Sequence, residues 1–425
     1  MSAVPDIEIS RTTEAEVDHF AEAEILSKRH AVGKIWRVVF ASSTLVGIIA
    51  LTALLLNIIN SAFGYVAFEN TIQPEQLAIS GVSIEEMSRE DLVIVLGNHV
   101  SQGLMRRFED EMPWEERTRE DVYDLVQERV VKPTTVAQWS LYQSLFKVDE
   151  IRQEIAEKYR GADVIFKSWI TVDFITSPQS SNALIAGVRT AILGSLWTIL
   201  IAISFSFPIG VGAAIYLQEY AKDNFINRII QTNLNNLAGV PSIIYGILGL
   251  ALFVRTLNQF TSGAVFGYAD PMTANGRTIL SAGLTLGLLI LPLIIINAQE
   301  AIKAVPNSLR EASYGMGATR WQTVWNHVLP SALPGILTGT ILAISRAIGE
   351  TAPLVVVGAS TFITFDPTGP FSKFTTLPIQ IYQWTSRPQD VFRNIAAGAI
   401  IVLLVMLLSM NAFAVLLRNR YSRRI

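Results

Sequence analysis

The chain has 425 residues, half of them hydrophobic and 16% charged, with a formal net charge of −3 and a mean hydropathy of +0.38. That mixture is too apolar for an ordinary soluble protein and too charged to lie wholly in lipid, so it fits several spanning helices plus a soluble part; the near-zero charge offers nothing to nucleic acid. The absence of cysteine excludes disulfides, thiolate metal sites and a cysteine nucleophile, and His19, His30, His99 and His327 show no ligand spacing.

Residues 1–34 are polar and mixed in charge, as expected of a cytoplasmic tail. The first apolar run, VVFASSTLVGIIALTALLLNII at 38–59, matches the ~20 residues that cross a bilayer, and places a first transmembrane helix at 35–60. It is too long and too far into the chain for a cleaved signal peptide. Lys28, Arg29, Lys34 and Arg37 precede it and predict a cytoplasmic N-terminus.

Residues 61–182 change character: the stretch 60–180 carries more than half of the 36 acidic residues and no spanning run. Several amphipathic helices are expected there. Thr118 caps one with a Val122, Leu125, Val126, Val130 stripe and Pro133 as its stop, while Ser83 with Glu86 has the capping-box spacing. In a third, Ile151 and Ile155 share a face. The segment reads as a compact, mainly helical external insert without a catalytic constellation.

Five further runs follow, at roughly 188–217, 240–256, 278–298, 334–358 and 394–417, which makes the chain an all-α membrane protein of six spans with a five-helix core at 183–425. The loops at 218–230 and 299–333 and the C-terminal tail carry Lys222, Arg228, Lys303, Arg310, Arg320, Arg418, Arg420, Arg423 and Arg424. The opposite loops hold Arg277, Lys373 and Arg387, so both termini are expected inside. Gly283/Gly287 and Gly335/Gly339 are GxxxG pairs, and Pro208 and Pro241 interrupt the second and third spans. They fit tight helix packing or unwound backbone lining a passage.

The fifth run contains Arg346 and Glu350, although a charge at the bilayer centre costs about 2.5–3.5 kcal/mol on insertion scales. The two lie at i and i+4 on one helix face, and Arg346 falls about 18 Å up the helix from Pro334. A guanidinium there forks two hydrogen bonds onto an oxyanion, with Glu350 as its resting counter-ion; the other reading is a bridge that pins the helix to a neighbour. Ser345 and Thr351 flank the pair and can donate to an anion, and Arg189 reads as an interfacial anchor.

In the long inner loop, Asn307 is expected to cap one short helix, Gly317 to end it in a left-handed turn, and Thr319 to cap a second. Trp321, Val324 and Val328 then share a face and Pro330 is the stop. Two helices at an angle would present an apolar, aromatic surface suited to a groove on a partner.

This loop resembles the EAA loop of ABC-importer permeases, E-A-A-x3-G-x9-I-x-L-P, through Glu311, Ala312, Ser313, Gly317, Leu329 and Pro330. Ser313 replaces the second alanine and His327 the isoleucine. ISRAIGETAPL, with residues 186–221, 236–253 and 168–181, is similar to the A-type permeases of the phosphate-specific (Pst) system, within the MetI-like, binding-protein-dependent family; the likeness runs from about residue 165 to the C-terminus. An arginine frequent in the family at the inner end of the fourth span is missing from LIIINAQEAI.

The resemblance implies a non-catalytic bacterial inner-membrane subunit that passes phosphate along a path containing Arg346. Its implied partners are a C-type permease paralogue, an ATP-binding cassette ATPase dimer, a periplasmic phosphate-binding protein and membrane lipid. No G-x4-G-K-[ST] sequence occurs, so ATP and magnesium are expected on the ATPase and no cofactor or metal on this chain. A permease of the same fold for sulfate, molybdate or phosphonate is the nearest alternative. A membrane-anchored sensor or scaffold is a further one, opposed by the EAA loop and the six spans.

Overall fold

A computed structural model describes residues 8–422 apart from 80, 160–161, 269–274, 360–362 and 364. The first seven residues of the expected tail, Arg423 and Arg424, and the side chains of His19 and Lys28 lie outside the described residues. The chain divides into two compact units, Met1–Ile59 and Asn60–Ile425.

The first unit is helix: α1 runs Glu8–Ala62. The most apolar stretch within Arg29–Ala62 has no buried residue, which in water would be a liability and in lipid is the expected state.

The second unit starts with the insert. In chain order it comprises β1 (Phe63–Glu69), α2 (Arg89–His99), α3 (Gln102–Glu111), α4 (Arg119–Val126), β2 (Thr134–Gln138), α5 (Leu141–Phe146), α6 (Val148–Lys158), β3 (Asp163–Ser168) and α7 (Val172–Thr176). β1 is the central strand of an antiparallel sheet ordered β2-β1-β3, in register from Phe63 opposite Ser168 to Phe68 opposite Asp163. The sheet is absent from the sequence expectation.

Thr118 does cap α4, in a reciprocal box with Asp121, and Val122, Val126 and Val130 are buried. Ser83 does not start a helix. Its carbonyl closes a turn onto Glu86 and Met87, and Ser88, accepting from Asp91 N, caps α2 instead. Val66, Trp169 and Phe174 share a buried cluster with residues of the helices that follow, so the insert has no separate base.

Those helices are α8 (Arg189–Ile215), α9 (Phe225–Ala238), α10 (Ser242–Gly249), α11 (Asn258–Thr261), α12 (Ile279–Lys303), α13 (Asn307–Gly315), α14 (Arg320–Thr323), α15 (Leu329–Gly349), α16 (Ala352–Val357), α17 (Leu377–Thr385) and α18 (Val391–Ser422). Among the described residues of the whole chain, five helices are long and apolar enough to cross a membrane. The count is six if Phe225–Ala238 and Ser242–Thr256, which meet at 105°, make one broken span.

Pro241 sits at that bend, where its missing N–H and its ring end one helix and start the next. Pro208, by contrast, is carried inside α8, which continues unbroken. Pro330 also fails to stop its helix. A turn of π-helix at Val324–Val328 joins α14 to α15, and Pro330 lies in the first turn of α15, where no N–H is missed.

α12 is the central helix, with Ile279, Leu286, Ile290, Ile294, Ala298 and Ile302 buried. Both GxxxG pairs sit where it crosses a neighbour. A β-carbon on Gly283 would lie 2.6 Å from Ile201 Cβ of α8, and one on Gly339 of α15 would lie 2.3 Å from Asn297 Cβ of α12. Only a missing side chain allows these approaches. Gly339→Val should therefore cost about 1–3 kcal/mol through forced separation of α12 and α15. A thermal melt in detergent should show a clear drop in midpoint; an unshifted midpoint would mean the two helices do not approach this closely.

Candidate functional site

The fifth span is not one helix. α15 ends at Gly349, Glu350 turns out of the helix with ψ 122°, and α16 begins only after Thr351. Pro353 stands in the first turn of α16, where its missing N–H and its ring bar the bond back to Gly349 O that a continuous helix would need. Arg346 therefore lies in the last turn of α15, whereas the apolar run at 334–358 is expected to continue as one span beyond it. There the unpaired carbonyls of the helix end favour a cation, which eases its place in an apolar run.

Arg346 Nε donates to Glu350 Oε1 at 3.3 Å. The arginine side chain is 43% exposed and the glutamate 17%. Among the described residues the terminal guanidinium nitrogens have no partner, so the donors that could fork onto an oxyanion are uncommitted. The break is held from behind by α10, where a β-carbon on Gly246 would meet Pro353 Cα at 2.7 Å.

Ser345, one position away, faces elsewhere. Its hydroxyl lies 2.9 Å from Ile341 O and 2.7 Å from Asn411 Oδ1 of α18. Thr351 lies at the break, half-buried, with no capping hydrogen bond. The structure thus pairs Arg346 with Glu350, leaves Thr351 beside them in the break without a hydrogen bond to either, and commits Ser345 to a helix contact. Asn411 was missed by sequence reasoning; its signal was an amide inside the apolar 394–417 run.

The loop at 299–333 contains α13 and α14. Asn307 is the first helical residue of α13 and not its cap, which falls to Pro306. Gly317 takes φ +80°, the left-handed turn that a β-carbon would strain. Thr319 caps α14 in a reciprocal box with Gln322. Glu311, Ala312 and Gly317 are exposed, Leu329 and Pro330 half-buried. Ser313 is buried, and its hydroxyl lies 2.9 Å from Thr323 Oγ1. The departure from alanine at that position has a partner.

Val324 and Val328 are buried, but Trp321 is not with them. It stacks on Trp325, centroids 5.4 Å apart and planes 18° apart, and both rings are more than half exposed. The pair leaves a large apolar surface uncovered on a rigid turn.

In the insert, Asp124 is pushed up to about 6 by burial and by the nearby Asp121 carboxylate. Burial lowers Lys167, whose Nζ donates to Leu184 O at 2.6 Å. Both line a cavity of about 790 Å³ with Arg189, which pairs with Asp366 at 2.7 Å and donates to Thr176 O. A carboxyl whose folded pKa is raised favours folding below its unfolded pKa near 3.8, and that contribution is lost as pH rises through about 6. Asp124→Asn should hence stabilise the chain at pH 7.5 by about 2 kcal/mol and flatten the dependence of the melting midpoint between pH 4 and 6.5. A melt series across that window checks it, and an unchanged slope would refute the burial.

No group of three or more His, Cys, Asp or Glu among the described residues could hold a metal ion. What the geometry defines is a multi-pass membrane bundle with a charged break in one span and an exposed aromatic loop beside the same helix. That is the class of a multi-pass membrane protein with a charged site inside one span.

A family model described as binding-protein-dependent transport system inner membrane component matches residues 206–425. The chain is 32% identical over 261 residues to the probable ABC transporter permease protein YqgI of Bacillus subtilis, covering 58% of this chain and 83% of that protein. It is 34% identical over 239 residues to the phosphate transport system permease protein PstA of Mycobacterium leprae, 56% and 72% of the two chains. A PstA homolog of Mycoplasma pneumoniae is 34% identical over 219 residues, 51% of this chain but 32% of that longer protein. The chain belongs to the family of binding-protein-dependent inner-membrane transport components. It is an ABC-importer permease of the multi-pass inner-membrane kind.

Proposed function

We propose that this permease carries inorganic phosphate inward, with ATP hydrolysed by a separate subunit. The observation that carries the reading is Arg346: an uncommitted guanidinium at a helix break inside a span, held on one side only by Glu350. Bidentate donors suit phosphate oxygens, and the adjacent carboxylate favours an anion that brings a proton. Sulfate has none to offer at neutral pH. Glu350 also keeps the site from trapping a divalent anion, since a conducting site must release what it binds. The PstA relatives support the same cargo.

In this reading the 299–333 loop and both termini are cytoplasmic and residues 61–182 lie outside, in keeping with the bias of lysine and arginine among the loops. An ATPase pair docks on the loop, a homologous C-type permease completes the pore, and an external binding protein delivers phosphate. ATP with magnesium belongs to the ATPase. Alternating access follows from closure of the ATPase pair.

Deleting the gene and measuring labelled phosphate uptake, with and without excess sulfate, tests the cargo. Uptake should fall on deletion and, in the intact strain, resist sulfate. Competition by sulfate would instead assign a broader oxyanion permease.

A further inference from the structure

Three elements end on one side chain. Arg310, in the first turn of α13, places Nη2 at 2.7 Å and Nε at 3.2 Å from Glu219 Oε1. Its Nη2 also donates to Ile302 O at 3.0 Å, in the last turn of α12, and its Nη1 to Val305 O at 2.7 Å. Glu219 lies on the turn of π-helix, Tyr216–Tyr220, that closes α8. The pair is buried, with 14% of the arginine side chain and 7% of the glutamate exposed. Arg320 stands 5.9 Å from the Tyr220 ring, a second tie between the loop and α8, and the Ser313–Thr323 contact fastens α13 to α14.

A buried ion pair is a costly way to gain stability, because desolvation consumes most of the attraction and an apolar pair would serve as well. What it does supply is direction. A planar guanidinium with several bonds fixes the angle between the elements it joins. The loop's exposed face, with the stacked Trp321 and Trp325, makes no side-chain hydrogen bond of this kind among the described residues. A push on that face reaches α15 along the chain, and α8 and α12 through Arg310 and the α13–α14 contact.

We propose that Arg310 and Glu219 are positioning residues forming the joint that passes displacement of the loop to α8 and α12. The proposal rests on the importer reading for the source of the push. The chain has no cysteine, so Tyr216→Cys with Met316→Cys, both at exposed positions, admits two spin labels with no background from the permease itself. In the transporter purified with its ATPase, the inter-label distance should be single and the same with and without ATP. Glu219→Gln, which keeps shape and removes charge, should widen the distribution at least twofold and make it nucleotide-dependent. Phosphate carried per ATP hydrolysed should fall about tenfold in the same, still assembled, complex.

Arg310→Lys is the second variant should Glu219→Gln fold poorly, and it should show the same pattern. An unwidened distribution overturns the proposal. So does widening with an unchanged phosphate-to-ATP ratio, which would make the pair a clamp and nothing more. Absence of any co-purifying ATPase would count against the importer reading instead, and an unwidened Glu219→Gln distribution in the isolated permease would still overturn the joint.

Discussion

Arg346→Gln is expected to leave the transporter assembled and to reduce phosphate uptake by at least about 100-fold. Glutamine keeps most of the length and one amide donor group but loses the charge and the fork. Each charge-assisted hydrogen bond to an oxyanion is worth about 1.5–3 kcal/mol. Losing two of them removes roughly 3–6 kcal/mol of stabilisation on the path, and 1.4 kcal/mol is about tenfold. Assembly should survive because the side chain is 43% exposed and, among the described residues, is tied to the fold by one contact, at 3.3 Å, to a residue four positions on. The helix contacts nearby are made by others: Ser345 with Asn411, and Thr338 with Arg418. Radiolabelled uptake in proteoliposomes, beside size-exclusion profiles of the purified complex, reads both halves. Normal uptake would end the cargo assignment, and a complex that falls apart would make Arg346 an interface residue. Glu350→Gln should act differently, slowing release and lowering the maximal rate more than the affinity.

The spans were legible because lipid demands long apolar runs, and the EAA spacing was legible because it is local. What the sequence concealed is what depends on partners far along the chain. β1 pairs with β2 about 70 residues later and with β3 about 100 later, and FGYVAFE carries too weak an alternation to announce itself at the end of a long helix. Ser83 and Ser88 have the same local chemistry; the turn after Ser83 already buries Ile84 and Met87, and the helical stripe of Leu92, Val95 and Leu96 that joins them in the core follows Ser88. Glu350 looked helical by spacing, yet Pro353 and the packing of α16 against Gly246 break the span before it. Arg346 and Glu350 could be paired from sequence, since four residues separate them. Glu219 and Arg310 could not, because 91 residues separate that pair.

The loop's aromatic face carries the other large effect. Sequence periodicity grouped Trp321 with Val324 and Val328; in the structure the valines are buried together with Thr323, and Trp321 turns outward onto Trp325. That rotation frees two indoles from any role in holding the fold. Each Trp can bury about 150–250 Å² against a partner, and at about 25 cal/mol per Å² the two together are worth several kcal/mol. Trp residues at the centre of an interface commonly cost more than about 2 kcal/mol each when truncated. Trp321→Ala with Trp325→Ala should therefore weaken ATPase docking by roughly a thousandfold and abolish uptake. The permease itself should elute and melt as before, since the buried face of the helix and the Thr319–Gln322 capping box are untouched. Co-purification through a tag on the permease gives the decisive readout. An ATPase that still elutes with the double variant would place the docking surface elsewhere on the loop, on Glu311, Tyr314 and Met316, and the stacked indoles would then face lipid headgroups.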